Sequence, residues 1–305
     1  MDFRHSKKNQ LSLLIMICIL LSFSLLKIKP GFCEWTINPA EEISYVVEEA
    51  EWSIAFNNED GSGKGGKIRN LTFKEGSTFS IEVTNVSEIW GIDYKIKNST
   101  STTNYFYDST MFITGFSKLL YYPQEECKRI IEQYSIKPDI IYGPPLLPWF
   151  FIEDNSEVFN FLNEVTKSNY HSSIDRNETY EATMESDFEN LEDIVKIDFY
   201  MNGYFSNESF NTDINFDHNL KFVWNKTSGI LLGYRVQSQF EGTYRDNTIS
   251  ESLSLIIRKS GYILPEFKFG VLTGFLPGFT FSIVLSSILI STMTHFLRKK
   301  KKKGN

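Results

Sequence analysis

Apolar residues alternate with polar or small ones along much of the chain. Trp52, Ile54 and Phe56 form one such run. Phe79, Ile81 and Val83 form a second, and Ile92, Tyr94 and Ile96 a third. A period of two sends alternate side chains to one face, so each run predicts a half-buried strand. Residues 103–121 are aromatic and also strand-like. The period then changes. Residues 123–134 predict a helix opened by Pro123. Residues 155–168 predict a second, capped by Asn155 or Ser156, with Val158, Phe159, Leu162 and Val165 on one face.

Strand patterning returns in the second half. Val195, Ile197, Phe199 and Met201 alternate, as do Leu220, Phe222 and Trp224. Asn225-Lys226-Thr227-Ser228-Gly229 reads as a tight turn, and 230–240 as the returning strand. Leu253, Leu255 and Ile257 close the pattern. Strands, two helices, then strands predict an α+β fold that is mainly antiparallel β. A curved sheet with the two helices on its concave face satisfies that order. Two sandwich-like subdomains divided near the proline-rich stretch 136–152 are the alternative.

The ends follow a different rule. Residues 275–297 form an apolar run interrupted by one ionisable residue, His295, and followed by Arg298 and five lysines. A bilayer core needs about 20 apolar residues in a helix. The run therefore predicts a transmembrane anchor. The basic tail, 298–305, is expected in the cytoplasm, with the large segment outside. Residues 11–26 are apolar and follow Arg4, Lys7 and Lys8, so 1–33 reads as a signal peptide cut after Cys33. An uncleaved signal anchor is the alternative, and Lys27 and Lys29 favour it. Phe32 before Cys33 makes a poor lipidation site. Gly278, Ser282 and Ser286 are spaced for close helix pairing, although serines also bond back to their own helix.

These boundaries change the charge picture. The whole chain has 31 Lys+Arg against 38 Asp+Glu. Eleven of the basic residues and one acidic residue lie at the two ends, leaving residues 34–270 with 20 basic and 37 acidic groups, a net of −17. Such a domain is a poor partner for nucleic acid, whose phosphates need cations. Cys127 is the one cysteine outside the predicted signal, so no disulfide framework supports the domain. Its helical setting predicts a buried small hydrophobe. Six Asn-X-Ser/Thr sequons, at Asn70, Asn85, Asn98, Asn177, Asn207 and Asn225, fit a glycosylated surface protein. Roughly four would arise by chance in so Asn-, Ser- and Thr-rich a chain.

Three stretches together resemble a known group. They are Gly76-Ser-Thr-Phe-Ser-Ile-Glu-Val-Thr-Asn-Val86, Trp224-Asn-Lys-Thr-Ser-Gly-Ile-Leu-Leu232 and Leu276-Pro-Gly-Phe-Thr-Phe281. The chain resembles archaeal cell-surface proteins of the choice-of-anchor type. That resemblance implies surface display and a C-terminal anchor, and carries no catalytic residue. The Trp224–Leu232 hairpin is also similar, at the level of fold, to curved-sheet lipoproteins that carry lipids.

Candidate chemistry is sparse. Gly61-Ser-Gly-Lys-Gly-Gly-Lys67 has the spacing of a phosphate loop, but Ile68 stands where a Mg²⁺-binding hydroxyl belongs and no helix pattern follows. The stretch, within 57–67, reads as a hairpin loop. Asp213, Asn215 and Asp217 alternate as calcium ligands do, but His218 replaces the required glycine and Trp224 the closing glutamate. On a strand that spacing simply makes one wet face. His171 and His218 alone could serve an extracellular site, and no catalytic residue or cofactor is predicted. Tyr142 to Ile152 is apolar and carries three prolines. It reads as a plug in the sheet's own core or as the lip of a pocket.

Three functions remain in play. The first is a membrane-anchored, single-pass cell-surface protein with a non-catalytic binding or display domain at 34–270. The second is a tethered carrier of a hydrophobic ligand, with Trp149, Phe150, Phe159 and Leu162 lining its pocket. The third is an extracellular hydrolase that uses paired carboxylates. The expected partners are the lipid bilayer and a surface protein or hydrophobic ligand.

Overall fold

The computed structural model describes residues 37–270 apart from 58, 69–70, 88–90, 137–148, 154–155 and 176. The expected signal (1–33), anchor (275–297) and tail (298–305) lie outside the described residues. No helix among the described residues is long and apolar enough to cross a membrane.

The sheet is organised around β1 (Glu42–Phe56). One edge of β1 pairs with β13 (Asn247–Lys259), from Tyr45↔Lys259 to Phe56↔Ile249. Its other edge is shared. β5 (Thr78–Ser87) takes the first part, from Glu42↔Glu82 to Val46↔Thr78. β2 (Glu59–Lys64) takes the second, from Glu51↔Lys64 to Phe56↔Glu59. Beyond β5 lie β6 (Gly91–Lys97) and β7 (Thr102–Tyr107). Beyond β13 lie β12 (Leu231–Tyr244), β11 (Thr212–Asn225), β10 (Ile194–Asn207), β9 (Glu178–Asn190) and β8 (Tyr170–Asp175). Every neighbour pair is antiparallel. The first and last strands of the chain are adjacent, so strands from both halves belong to one curved, open sheet. A separate pair, β3 (Gly66–Ile68) and β4 (Leu71–Phe73), sits beside it.

Strands β9 to β13 run for 13 or 14 residues each. At about 3.4 Å per residue that is roughly 45 Å, long enough for strand twist to accumulate into curvature. Three helices cover the inner face: α1 (Ser109–Leu120), α2 (Tyr122–Ile136) and α3 (Ser156–Val165). Their side chains reach inward-pointing residues of the strands. Phe116 meets Phe222 at 5.2 Å and Phe112 meets Trp224 at 5.8 Å, centroid to centroid. Tyr122 meets Phe240, and Phe159 meets Phe188. Burying large aromatic side chains is the main favourable term in such a core, at roughly 25 cal/mol per Å² of apolar surface.

Two local expectations are corrected. Among the described residues there are three helices rather than two, because the aromatic stretch read as one strand divides after Tyr107 into β7 and α1. Asp108 breaks it: its side chain accepts the Met111 N–H at 2.6 Å and caps the helix. Phe112, Phe116, Leu119 and Leu120 are then buried on one side. The glycine-rich stretch expected as a loop is strand instead. Gly63 lies opposite Trp52, and a β-carbon there would stand 2.7 Å from the indole. Glycine is what lets this strand lie under the Trp52 ring.

Candidate functional site

The outer face is crossed by a strap. After β13 the chain turns at Ser260 and Gly261 and runs back over β12, β11 and β10 to Gly270. Leu264 buries against Val223 and Ile256, with Ile194, Leu232 and Tyr262 around them. Glu266 pairs with Arg235, whose guanidinium also lies 5.5 Å from the Phe267 ring centroid. Lys268 Nζ is 2.7 Å from Asp187, and the Lys268 N–H donates to Asp198 at 3.2 Å. Asn219 Nδ2 donates to the carbonyls of Phe269 at 2.7 Å and Gly270 at 2.9 Å. Gly270 has φ +51°, and a β-carbon would fall 2.2 Å from the Tyr200 ring. Backbone can therefore press on that ring only as glycine.

Beneath the strap lies a buried ion pair. Lys221 Nζ sits 2.7 Å from Asp198 Oδ1, with side chains 3% and 1% exposed. Their strand positions, paired across β10 and β11, face outward. The strap is what takes them out of water. Asp198 Oδ2 accepts no hydrogen bond among the described residues, and the Lys196 ammonium is 3.9 Å from it.

The inner face handles its ionisable groups differently. His218 is buried with both ring nitrogens used: Nδ1 lies 2.7 Å from Ser238 Oγ, and Nε2 lies 3.2 Å from the Leu119 carbonyl. A carbonyl only accepts, so Nε2 carries the proton and Nδ1 accepts from the serine. Burial pushes the His218 pKa down to about 4, against a smaller upward pull from the Leu119 carbonyl. On α2, Arg129 Nε donates to Glu126 at 2.6 Å, and its Nη2 donates to Glu251 of β13 at 3.0 and 3.2 Å. Burial, then the adjacent Glu126, pushes Glu251 well above the usual carboxylate range, with Arg129 opposing. Burial also raises the Cys127 thiol, which suits a packing residue better than a nucleophile.

Most of the sequence candidates fall among the described residues. Phe150 and Leu162 are fully buried, while Trp149 and Phe159 pack against the core. Phe150 touches the rings of Tyr45 at 5.1 Å and Phe79 at 5.7 Å. Trp149 lies over Gly115 of α1, and its carbonyl accepts from Trp224 Nε1 at 3.2 Å. Phe151 bridges to Ile230, and the Phe150 carbonyl accepts the Leu231 N–H at 2.8 Å. The described end of the apolar stretch, 149–152, thus plugs the core, and 142–148 lie outside the described residues. Asp213, Asn215 and Asp217 stand on the outer face of β11, and Asp217 accepts from Tyr200 at 2.6 Å and Asn202 at 2.8 Å. No group of three metal-capable His, Cys, Asp or Glu residues occurs among the described residues.

The sequons differ from one another. Asn70 lies outside the described residues. Asn85 and Asn177 are exposed. Asn98 follows β6 and Asn225 ends β11, and they accept local N–H groups from Ser101 and Ser228. Asn207 is 3% exposed. Its Nδ2 donates to Glu178 and its Oδ1 caps the short 3-10 turn Glu208–Phe210. The nitrogen that would carry a glycan is thus engaged by Glu178 within the fold.

Neither the strap nor the two charge clusters was singled out from sequence. The signal present was a charged residue at an inner or outer strand position, Asp198 and Lys221 among them, with nothing in the sequence to say what covers it. The fold is an open, curved antiparallel sheet with three helices inside and a strap outside. No family model, curated protein or solved structure matches the chain.

Proposed function

We propose that the chain is a single-pass membrane protein of the cell surface. Residues 34–270 form an external binding or display domain, 275–297 the anchor and 298–305 a cytoplasmic tail. The observation that favours binding over catalysis is the engagement of the inner ionisable groups. His218 spends both nitrogens on Ser238 and Leu119, and Glu126 and Glu251 share Arg129. A general acid or base needs a free position aimed at substrate, and these groups are committed to their neighbours. Glu126 and Glu251 are two carboxylates that meet on the inner face, but they touch one another and Arg129 holds them between α2 and the sheet, whereas a carboxylate hydrolase needs them several ångströms apart across its substrate. The carrier reading is disfavoured by the same kind of observation, because Phe150 and Leu162 pack against the protein's own core.

The test uses the full chain in its own membrane. Expected outcomes are retention after alkaline carbonate extraction, digestion of the domain by protease added to intact cells, and protection of the lysine tail. Release by carbonate, or protection of the domain, overturns the proposal. Native and denatured masses of the detergent-solubilised chain then decide the role. A lipid mass lost on denaturation would favour the carrier.

A further inference from the structure

We infer that the strapped outer face of the sheet is the surface the domain rests on the bilayer, with the helix-covered face directed away. The inference rests on the anchor reading above and adds an orientation to it. The strap is held down at residues 268–270, where Asn219, Asp198 and Tyr200 fasten it against β10 and β11. The expected anchor begins at residue 275, five residues past Gly270. Five residues span at most about 17 Å. The outer face of β10 and β11 is therefore leashed close to the membrane surface, whereas a free linker would let any face turn toward it.

The composition of this surface fits a lipid interface. Ile263 is 87% exposed, the most exposed large hydrophobic residue among those described. Tyr262, Phe267 and Phe269 flank it along the strap, each partly exposed. Aromatic rings beside basic residues are characteristic of the headgroup region. Residues 258–270 hold three basic residues, Arg258, Lys259 and Lys268, and one acidic residue, Glu266; Arg258 pairs with Glu48, Lys268 with Asp187 and Glu266 with Arg235. Ion pairing leaves the strap close to neutral within a domain of net −17. An anionic surface therefore repels this part of the domain least. The exposed sequon asparagines fit the same orientation: Asn177 is in the β8–β9 turn and Asn85 on β5, neither among the strap's neighbours.

The test places a photoreactive benzoylphenylalanine at Ile263 or at Thr114, which is exposed on α1, in the full chain. Each variant is reconstituted in nanodiscs of phosphatidylcholine and phosphatidylglycerol, illuminated and weighed. Lipid adduct at position 263 and none at position 114 is the expected result. Equal adducts, adducts at 114 alone, or protein–protein adducts at 263 in place of lipid overturn the orientation while leaving the anchor intact. A chain that carbonate strips from the nanodisc overturns the anchor itself.

Discussion

The two faces of this sheet bury ionisable groups by opposite means. The inner face keeps one neutral and gathers two carboxylates, Glu126 and Glu251, around the part-exposed Arg129 guanidinium. His218 is held neutral by burial, and Glu251 is pushed toward its protonated form. The outer face keeps opposite charges together: Lys221 and Asp198 lie 2.7 Å apart under the strap. The difference follows from what covers each face. Helices bring an aromatic layer that cannot solvate charge. The strap is a single segment of backbone, and it brings its own polar groups, the Lys268 N–H and the carbonyls of Phe269 and Gly270. On the face covered by side chains a buried group is neutral or leans on a cation that reaches solvent, as Arg129 does. A face covered by backbone can accommodate a pair.

The largest effect that would break this contrast lies in the outer pair. Lys221→Met leaves Asp198 buried without its nearest cation. Removing one partner of a buried pair costs about 3–5 kcal/mol, while replacing both is often close to neutral. The double variant Asp198→Leu/Lys221→Met is therefore expected to recover most of the loss, read as the urea midpoint. Equal midpoints for the wild type and Lys221→Met would mean that the pair is already hydrated and the strap does not seal it.

The inner face should respond to acid. The folded pKa of His218 is about 4, below the unfolded value of about 6.5. Between those values the unfolded chain binds a proton that the folded chain refuses. Stability from neutral His218 is thus complete above about pH 6.5 and is lost as pH falls toward 4, by roughly 3 kcal/mol in all. Glu251 has the opposite sign: its pKa is raised, so its contribution grows as pH falls through the folded value. His218→Gln separates the two. The wild type should lose stability faster than the variant between neutral pH and pH about 4.5. Parallel pH profiles would remove His218 as an acid-sensitive group.

The two faces also differed in how far sequence revealed them. The inner face was legible because burial leaves a period. Val195, Ile197, Phe199 and Met201 point inward on β10, and Leu220, Phe222 and Trp224 on β11, as their alternation predicts. Even here α1 reads as strand, since its threonines, isoleucine and phenylalanines are common in strands, and Asp108 alone marks the change. The outer face was not legible. Asp198 and Lys221 occupy the polar half of the alternation, which ordinarily means solvent. What buries them is a segment some 50 residues downstream of Asn219 (the Asn219–Gly270 separation is 51), and residues 260–270 carry no period of their own. The pocket candidates were found on apolar character alone, which does not distinguish a plug from a lining.

The smallest effect separates the strap from the sheet beneath it. Asn219→Ala removes two hydrogen bonds to the last strap carbonyls and leaves the Asp198–Lys221 contact in place. Each bond is worth about 1 kcal/mol net, and carbonyls near the strap's end can turn to water once freed. Global stability should therefore fall by only about 1 kcal/mol. The local effect should be larger in kind. Amide exchange at residues 268–270 is expected to quicken while amides of β10 and β11 keep their protection, because the strap then opens as its own unit. Exchange that quickens equally in the strap and the strands would show that the strap is an integral layer of the sheet, unable to leave without it. Unchanged exchange would shift its attachment to Leu264 and the Arg235–Glu266 pair, at the other end of the crossing.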